Sequence, residues 1–127
     1  MHKSKLSGFI IDCQTTDLDR SADFWGNALG MPVRGLPPGE GEIYKRLEDN
    51  QHGLHIEVQA VSHESRVHLD IETNDIEAEV KRLEKLGAKR IEMVRTWWVM
   101  EAPTGQRFCV VPAAGSQDFD AKASVWS

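Results

Sequence analysis

The sequence predicts an α+β protein made of two copies of one strand-turn-helix unit. The first observation is a near repeat. Arg66–Ala88 (RVHLDIETNDIEAEVKRLEKLGA) lies over Gly8–Met31 (GFIIDCQTTDLDRSADFWGNALGM) with Asp12 on Asp70, Thr15 on Thr73, Asp17 on Asp75 and Leu18 on Ile76, all at one constant interval. The second is that Gly30 and Gly87 close the two helices, the later one a residue shorter. The third is that each helix is followed by stretches with strand character and tight turns, so each half reads strand, helix, then about three strands. That order fits an antiparallel-rich sheet with a helix packed on one face. Module one spans about residues 7–61, module two about 66–112, and 113–127 is a tail.

Length and charge narrow the function. A chain of 127 residues suits one compact domain, whereas either half alone would be marginal. Fifteen basic against twenty acidic side chains give a formal charge of −5, with no basic block to follow a phosphate backbone, which argues against nucleic acid. The apolar runs around Phe9–Ile11 and Phe108–Val111 are far shorter than the ~20 residues that span a bilayer. The opening MHKSKLS has no apolar signal core, so the expectation is a soluble, cytoplasmic protein. Cys13 and Cys109 are far apart and outside any CxxC pattern, which suggests neither a disulfide framework nor a zinc knuckle.

Taken in order, Gly8–Gln14 is β-branched and apolar enough for a buried strand, and Thr15–Asp19 supplies small polar cap residues. In Leu18–Leu29 the residues Leu18, Ala22, Trp25, Ala28 and Leu29 recur at helical spacing and form one apolar stripe. Met31–Gly41, rich in proline and glycine, reads as a loop that serves as a pocket rim or a plain connection. Glu42–Leu47 and Leu54–Val61 read as a hairpin around the polar turn Glu48–Gly53. In the second unit Asn74 or Asp75 caps a helix whose buried stripe is Ile76, Val80, Leu83 and Leu86. Its solvated face holds Glu77, Glu79, Lys81, Arg82, Glu84 and Lys85, with Glu77–Lys81 as an i,i+4 pair. Ile91–Arg95, Trp97–Glu101 and Arg107–Val111 read as strands, the last two joined by the APTGQ turn. Ala113–Ser127 reads as a loosely held tail with Trp126 as a candidate anchor.

With these motifs in view, the chain resembles the vicinal oxygen chelate superfamily, the glyoxalase, bleomycin resistance and extradiol dioxygenase group. It is most similar to the glyoxalase-like domains. The resemblance rests on IDCQTTDLDRSADFWGNALGM, RVHLDIETNDIEAEVKRLEKLGA and WVMEAPTGQRFCVV, three separated motifs in the expected order between Phe9 and Val111. It implies a single domain of two tandem βαβββ modules that form an incomplete barrel around a cleft, and a homodimer. It further implies a small-molecule lyase, isomerase or dioxygenase, or else a metal-free protein of the bleomycin-resistance kind that sequesters its ligand. In metal-using relatives the first and last strands of each module give one ligand apiece. Those positions fall here on Ile10, Glu57, His68 and Cys109. Isoleucine has no lone pair and cysteine is a soft donor, so His68 and Glu57 are left as the conventional ligands for a divalent metal, fewer than a catalytic zinc site holds.

The same residues carry the candidate chemistry. His68 reads as ligand, general base or hydrogen-bonding partner of a substrate, or as a satisfied core residue. Glu57 shares strand parity with His55 and Gln59; facing inward it needs a partner, for which His68 is the natural choice, and facing solvent it has no role. Asp12 and Asp70 occur in both copies, as an acid-base pair or as acceptors of backbone hydrogen bonds at the module junction. A register shift of two residues would put them in place of Ile10 and His68. Cys109 reads as a small hydrophobe rather than a nucleophile. Trp97, Trp98, Met100 and Phe108 are candidates for an apolar ligand wall, with the ordinary core as the alternative, and one of the two adjacent tryptophans must face inward.

Overall fold

Residues 1–114 and 117–127 are described by a computed structural model of the chain. Its elements are β1 (His2–Gln14), α1 (Leu18–Leu29), β2 (Val33–Gly35), β3 (Tyr44–Glu48), β4 (His55–Val61), β5 (Arg66–Thr73), α2 (Ile76–Lys85), β6 (Lys89–Val94), β7 (Trp97–Glu101), β8 (Arg107–Pro112), α3 (Gln117–Lys122) and β9 (Ser124–Trp126). The chain is α+β. It divides into two compact units, Gly8–His68 and Met1–Ser7 with Leu69–Ser127, so that β1 and β5 each contribute to both.

The Gly8–His68 unit is a βαβββ module with strand order β2-β3-β4-β1. Its outer pairs are antiparallel, and β1 runs parallel to β4 with Ile10 opposite Glu57 and Asp12 opposite Gln59. Gly8 makes that parallel pair possible, because a Cβ there would stand 1.9 Å from the His55 carbonyl oxygen. Ile11, Leu18, Ala22, Leu47, Ile56 and Val58 form the core between the sheet and α1. Trp25 packs against it, whereas Ala28 and Leu29, expected in the stripe, are exposed in the last turn of the helix. Gly30 ends α1 in the left-handed conformation, as a helix-closing glycine should.

Met31–Gly41 is more ordered than its composition suggests. Val33–Gly35 forms a three-residue edge strand antiparallel to β3, and Pro32 offers its carbonyl to Glu48 N at 2.9 Å. Proline is tolerated there because it sits before an edge strand and withholds no ladder donor.

The Leu69–Ser127 portion, with Met1–Ser7, repeats the plan. Its strand order is β5-β8-β7-β6, with β5 parallel to β8 and the two later pairs antiparallel. Val80, Leu83, Met100 and Val110 make its core, joined by Ile71, Ile76, Trp98 and Phe108. The strand read as Ile91–Arg95 ends at Val94, and Arg95 takes the turn with φ 50°.

The duplicated Thr-x-Asp has one structural job in both modules. Thr15 Oγ1 accepts from Asp17 N at 2.9 Å and Asp17 caps α1 through Arg20 N; Thr73 Oγ1 accepts from Asp75 N at 3.1 Å and Asp75 caps α2 through Ala78 N. Asp75 is thus the cap, and Asn74 instead accepts from Lys3 N.

Three expectations for α2 need correction. Leu86 is 66% exposed, since the helix ends before it. Glu79, assigned to water, is fully buried. Its carboxylate accepts from His2 Nε2 at 2.8 Å and from Arg82 Nε and Nη2, each at 2.8 Å. Burial by itself would raise its pKa, but the bonds from Arg82, His2 and Ser4 prevail and hold it down at about 2. Glu77 takes Arg90 as its partner, at 2.7 Å, in place of the expected Lys81.

The tail is also structured. β9 pairs with the start of β1, Trp126 donates to Ser4 Oγ at 2.8 Å, and its ring lies 3.8 Å from the Arg82 guanidinium carbon. The part of the tail at residues 115 and 116 lies outside the described residues. Among the described residues, no helix is long and apolar enough to cross a membrane.

Candidate functional site

In the Gly8–His68 unit, alternation sends Phe9, Ile11, Ile56, Val58 and Leu47 toward α1. Their neighbours therefore occupy the face turned away from the helix. Strand register arranges that face in rows: Asp12, Gln59 and Tyr44; then Ile10, Glu57 and Arg46; then Gly8, His55 and Glu48. This face is polar and charged around one buried apolar residue, Ile10, which is 4% exposed.

At one end of the first row His68 Nδ1 lies 2.7 Å from Asp12 Oδ2. Asp12 is 2% exposed, and Arg66 Nε approaches the same oxygen at 3.9 Å. A buried carboxylate is stable only when paired, and the imidazole and guanidinium supply that pairing. An imidazole that donates from Nδ1 to a carboxylate carries its lone pair on Nε2, and the bond fixes the ring's orientation. Such a pair can position a proton acceptor. Farther along the row Gln59 Nε2 donates to Tyr44 Oη at 3.0 Å.

Glu57 does face this side, together with His55 and Gln59. The partner the structure gives it is His55, with Nε2 3.3 Å from Oε2, while the partner it gives His68 is Asp12. A recess of about 580 Å³, lined by Gln14, Thr15, Thr16, Ala60, Val61 and Ser62, borders the Asp12 end of the face.

The remaining sequence candidates lie in the other unit. Asp70 stands opposite Cys109 on the face of β5 and β8 turned away from α2, and Cys109 is 8% exposed. Trp98 and Met100 belong to the core under α2, with Met100 fully buried, so they are not on the face of Asp70 and Cys109. Trp97, by alternation, shares that face with Val99, the register partner of Cys109. Sequence reasoning missed Arg46 and Tyr44. Leu47 held the signal: a buried leucine between charged neighbours in a strand sends Arg46 and Glu48 to the opposite face.

The four metal positions carried over from metal-using relatives do not fit a metal here. Ile10 is buried and offers no donor atom, and Glu57 is turned to His55. A different set of ligating types does occur along β5, where His68 and Asp70 occupy alternate positions and Asp70 faces Cys109.

The family model for the glyoxalase-like domain matches residues 8–111, which covers both βαβββ modules. The chain belongs to the glyoxalase-like family. Solved structures agree on the fold. This glyoxalase-like protein is similar to a hypothetical protein from Bacillus halodurans, at 15% identity and TM-score 0.65, with 89% of this chain and 96% of that one covered. It is similar to methylmalonyl-CoA epimerase from Mycobacterium tuberculosis at 16% identity and TM-score 0.63, covering 86% and 87%. It is also similar to a glyoxalase/bleomycin resistance protein/dioxygenase superfamily member from Vibrio splendidus at 18% identity and TM-score 0.55, covering 86% and 100%. A search of curated proteins finds no match.

Proposed function

We propose that this glyoxalase-like protein binds a small carbonyl compound and moves a proton on it, as an isomerase does, with His68 as the base and Asp12 holding it. The observation that carries the reading is the 2.7 Å bond from His68 Nδ1 to a carboxylate that is 2% exposed. A base fixed in one orientation removes a proton next to a carbonyl and returns it from the same side, to that carbon or to its neighbour, and such acid-base help is worth about 10²–10⁴ in rate. The fold similarity to methylmalonyl-CoA epimerase supports this choice among lyase, isomerase and dioxygenase. No step is assigned to a metal, because Ile10 and Glu57 do not fit one. The reading takes the protein as a cytoplasmic homodimer acting on a small molecule, without a nucleic acid or membrane partner.

The test is hydrogen exchange. Methylmalonyl-CoA is incubated with the protein in heavy water and deuterium at the α-carbon is followed by mass spectrometry. Wild-type protein is expected to catalyse the exchange and His68→Ala to lose at least a hundredfold. Exchange that survives His68→Ala unchanged overturns the assignment. The metal-free sequestering reading has its own supporting residue in Ile10, and a compound bound tightly without any exchange would favour it.

A further inference from the structure

We infer that Arg46 holds the anionic end of the substrate, so that the molecule taken by this face is a small carboxylate. This deepens the proton-transfer reading and rests on it for the role of His68, but its ground is separate. Leu47 is buried in the core, so Arg46 projects to the opposite face, in the row of Ile10 and Glu57. Its Nε is shielded from solvent and has no hydrogen-bond partner among the described residues. The anions beside it are engaged elsewhere: Glu57 with His55 at 3.3 Å, and Glu48 with Arg34 at 3.4 Å. Arg34 is the register partner of Arg46, so a second guanidinium stands next to the first.

A half-shielded cation beside another cation, with no ion pair of its own within 4 Å among the described residues, is an unfavourable arrangement. A bound carboxylate relieves it, and the planar guanidinium fork matches a carboxylate in geometry as well as charge. In the next row of the same face the Gln59–Tyr44 pair offers polar atoms for a carbonyl or hydroxyl oxygen.

The experiment is a calorimetric titration of the full chain with malonate, pyruvate and lactate, and with malonamide, pyruvamide and lactamide. Wild-type protein is expected to bind at least one acid roughly tenfold or more tightly than its amide, the size expected of a charge-assisted contact. Arg46→Met should erase that preference and Arg46→Lys keep part of it, with circular dichroism confirming that each variant is folded. On any substrate that turns over, Arg46→Met should raise KM and leave kcat within a few fold. Absence of an acid-over-amide preference in the wild type, or its survival in Arg46→Met, overturns the inference. His68→Ala separates the two readings: it is expected to keep the acid preference while losing exchange. If it exchanges like wild type but retains the preference, the base assignment alone fails.

Discussion

Glu79→Gln asks how much one buried carboxylate contributes to this fold. Glutamine has the shape of a protonated glutamate, so the substitution removes the charge and little else. In the folded protein the carboxyl pKa is about 2, against an ordinary value of 4.5, because the hydrogen bonds from Arg82, His2 and Ser4 outweigh the opposing effect of burial. At about 1.4 kcal/mol per pKa unit, the charged form contributes about 3 kcal/mol. The loss expected when a buried pair is broken by removing one partner has the same size, about 3–5 kcal/mol, taken at its lower end because Arg82 is 25% exposed and can turn to water. Since the folded-state pKa is the depressed one, this stability is fully present above pH ~4.5 and is lost as the pH falls toward ~2. About 2 of the 3 kcal/mol should be gone by pH 3. Urea denaturation of both proteins, in steps from pH 7 to pH 3, reads the difference directly. A variant as stable as wild type at pH 7 would refute the argument, and so would a gap that does not narrow on acidification.

Three further outcomes follow from local geometry. Asp12→Asn cannot accept the His68 proton in the same way, so the exchange rate should drop roughly tenfold or more while the compound still binds; an unchanged rate would remove Asp12 as the positioning residue. Gly8→Ala places a Cβ 1.9 Å from the His55 carbonyl oxygen and must push β1 away from β4; chemical denaturation should show a loss of about 2 kcal/mol or more, and a neutral result would contradict the parallel register. Arg95→Gly relieves a left-handed residue at φ 50° in the β6–β7 turn, and thermal denaturation should show a gain of about 0.5–1 kcal/mol.

What the sequence made legible was what short-range chemistry decides. The Thr-x-Asp repeat, the closing glycines and the helical stripes each depend on residues within one or two turns, and both modules follow from them. The same local logic placed Glu57, His55 and Gln59 on one face. It failed where partners come from afar. Glu79 looks like a surface position because its neighbours Glu77, Lys81 and Arg82 are charged, yet it is buried by His2, 77 residues away in sequence. A helix position is polar or apolar by composition, but whether it meets water depends on which strand lies across it. Here that strand is the start of β1, held in turn by β9 through Trp126 and Ser4.

The pairing of His68 was hidden for a related reason. The choice between Glu57 and Asp12 turns on how β1, β4 and β5 lie across one another, which no strand pattern states. Arg46 was passed over because an arginine in an amphipathic strand is ordinarily a solvated charge. Only when its neighbours Glu57 and Glu48 are found bound to His55 and Arg34 does it stand out as an arginine with no ion pair among the described residues. The sequence therefore supplies each charge on this face, while the structure supplies the pairing, and the unpaired residue left by that pairing is what points to a ligand.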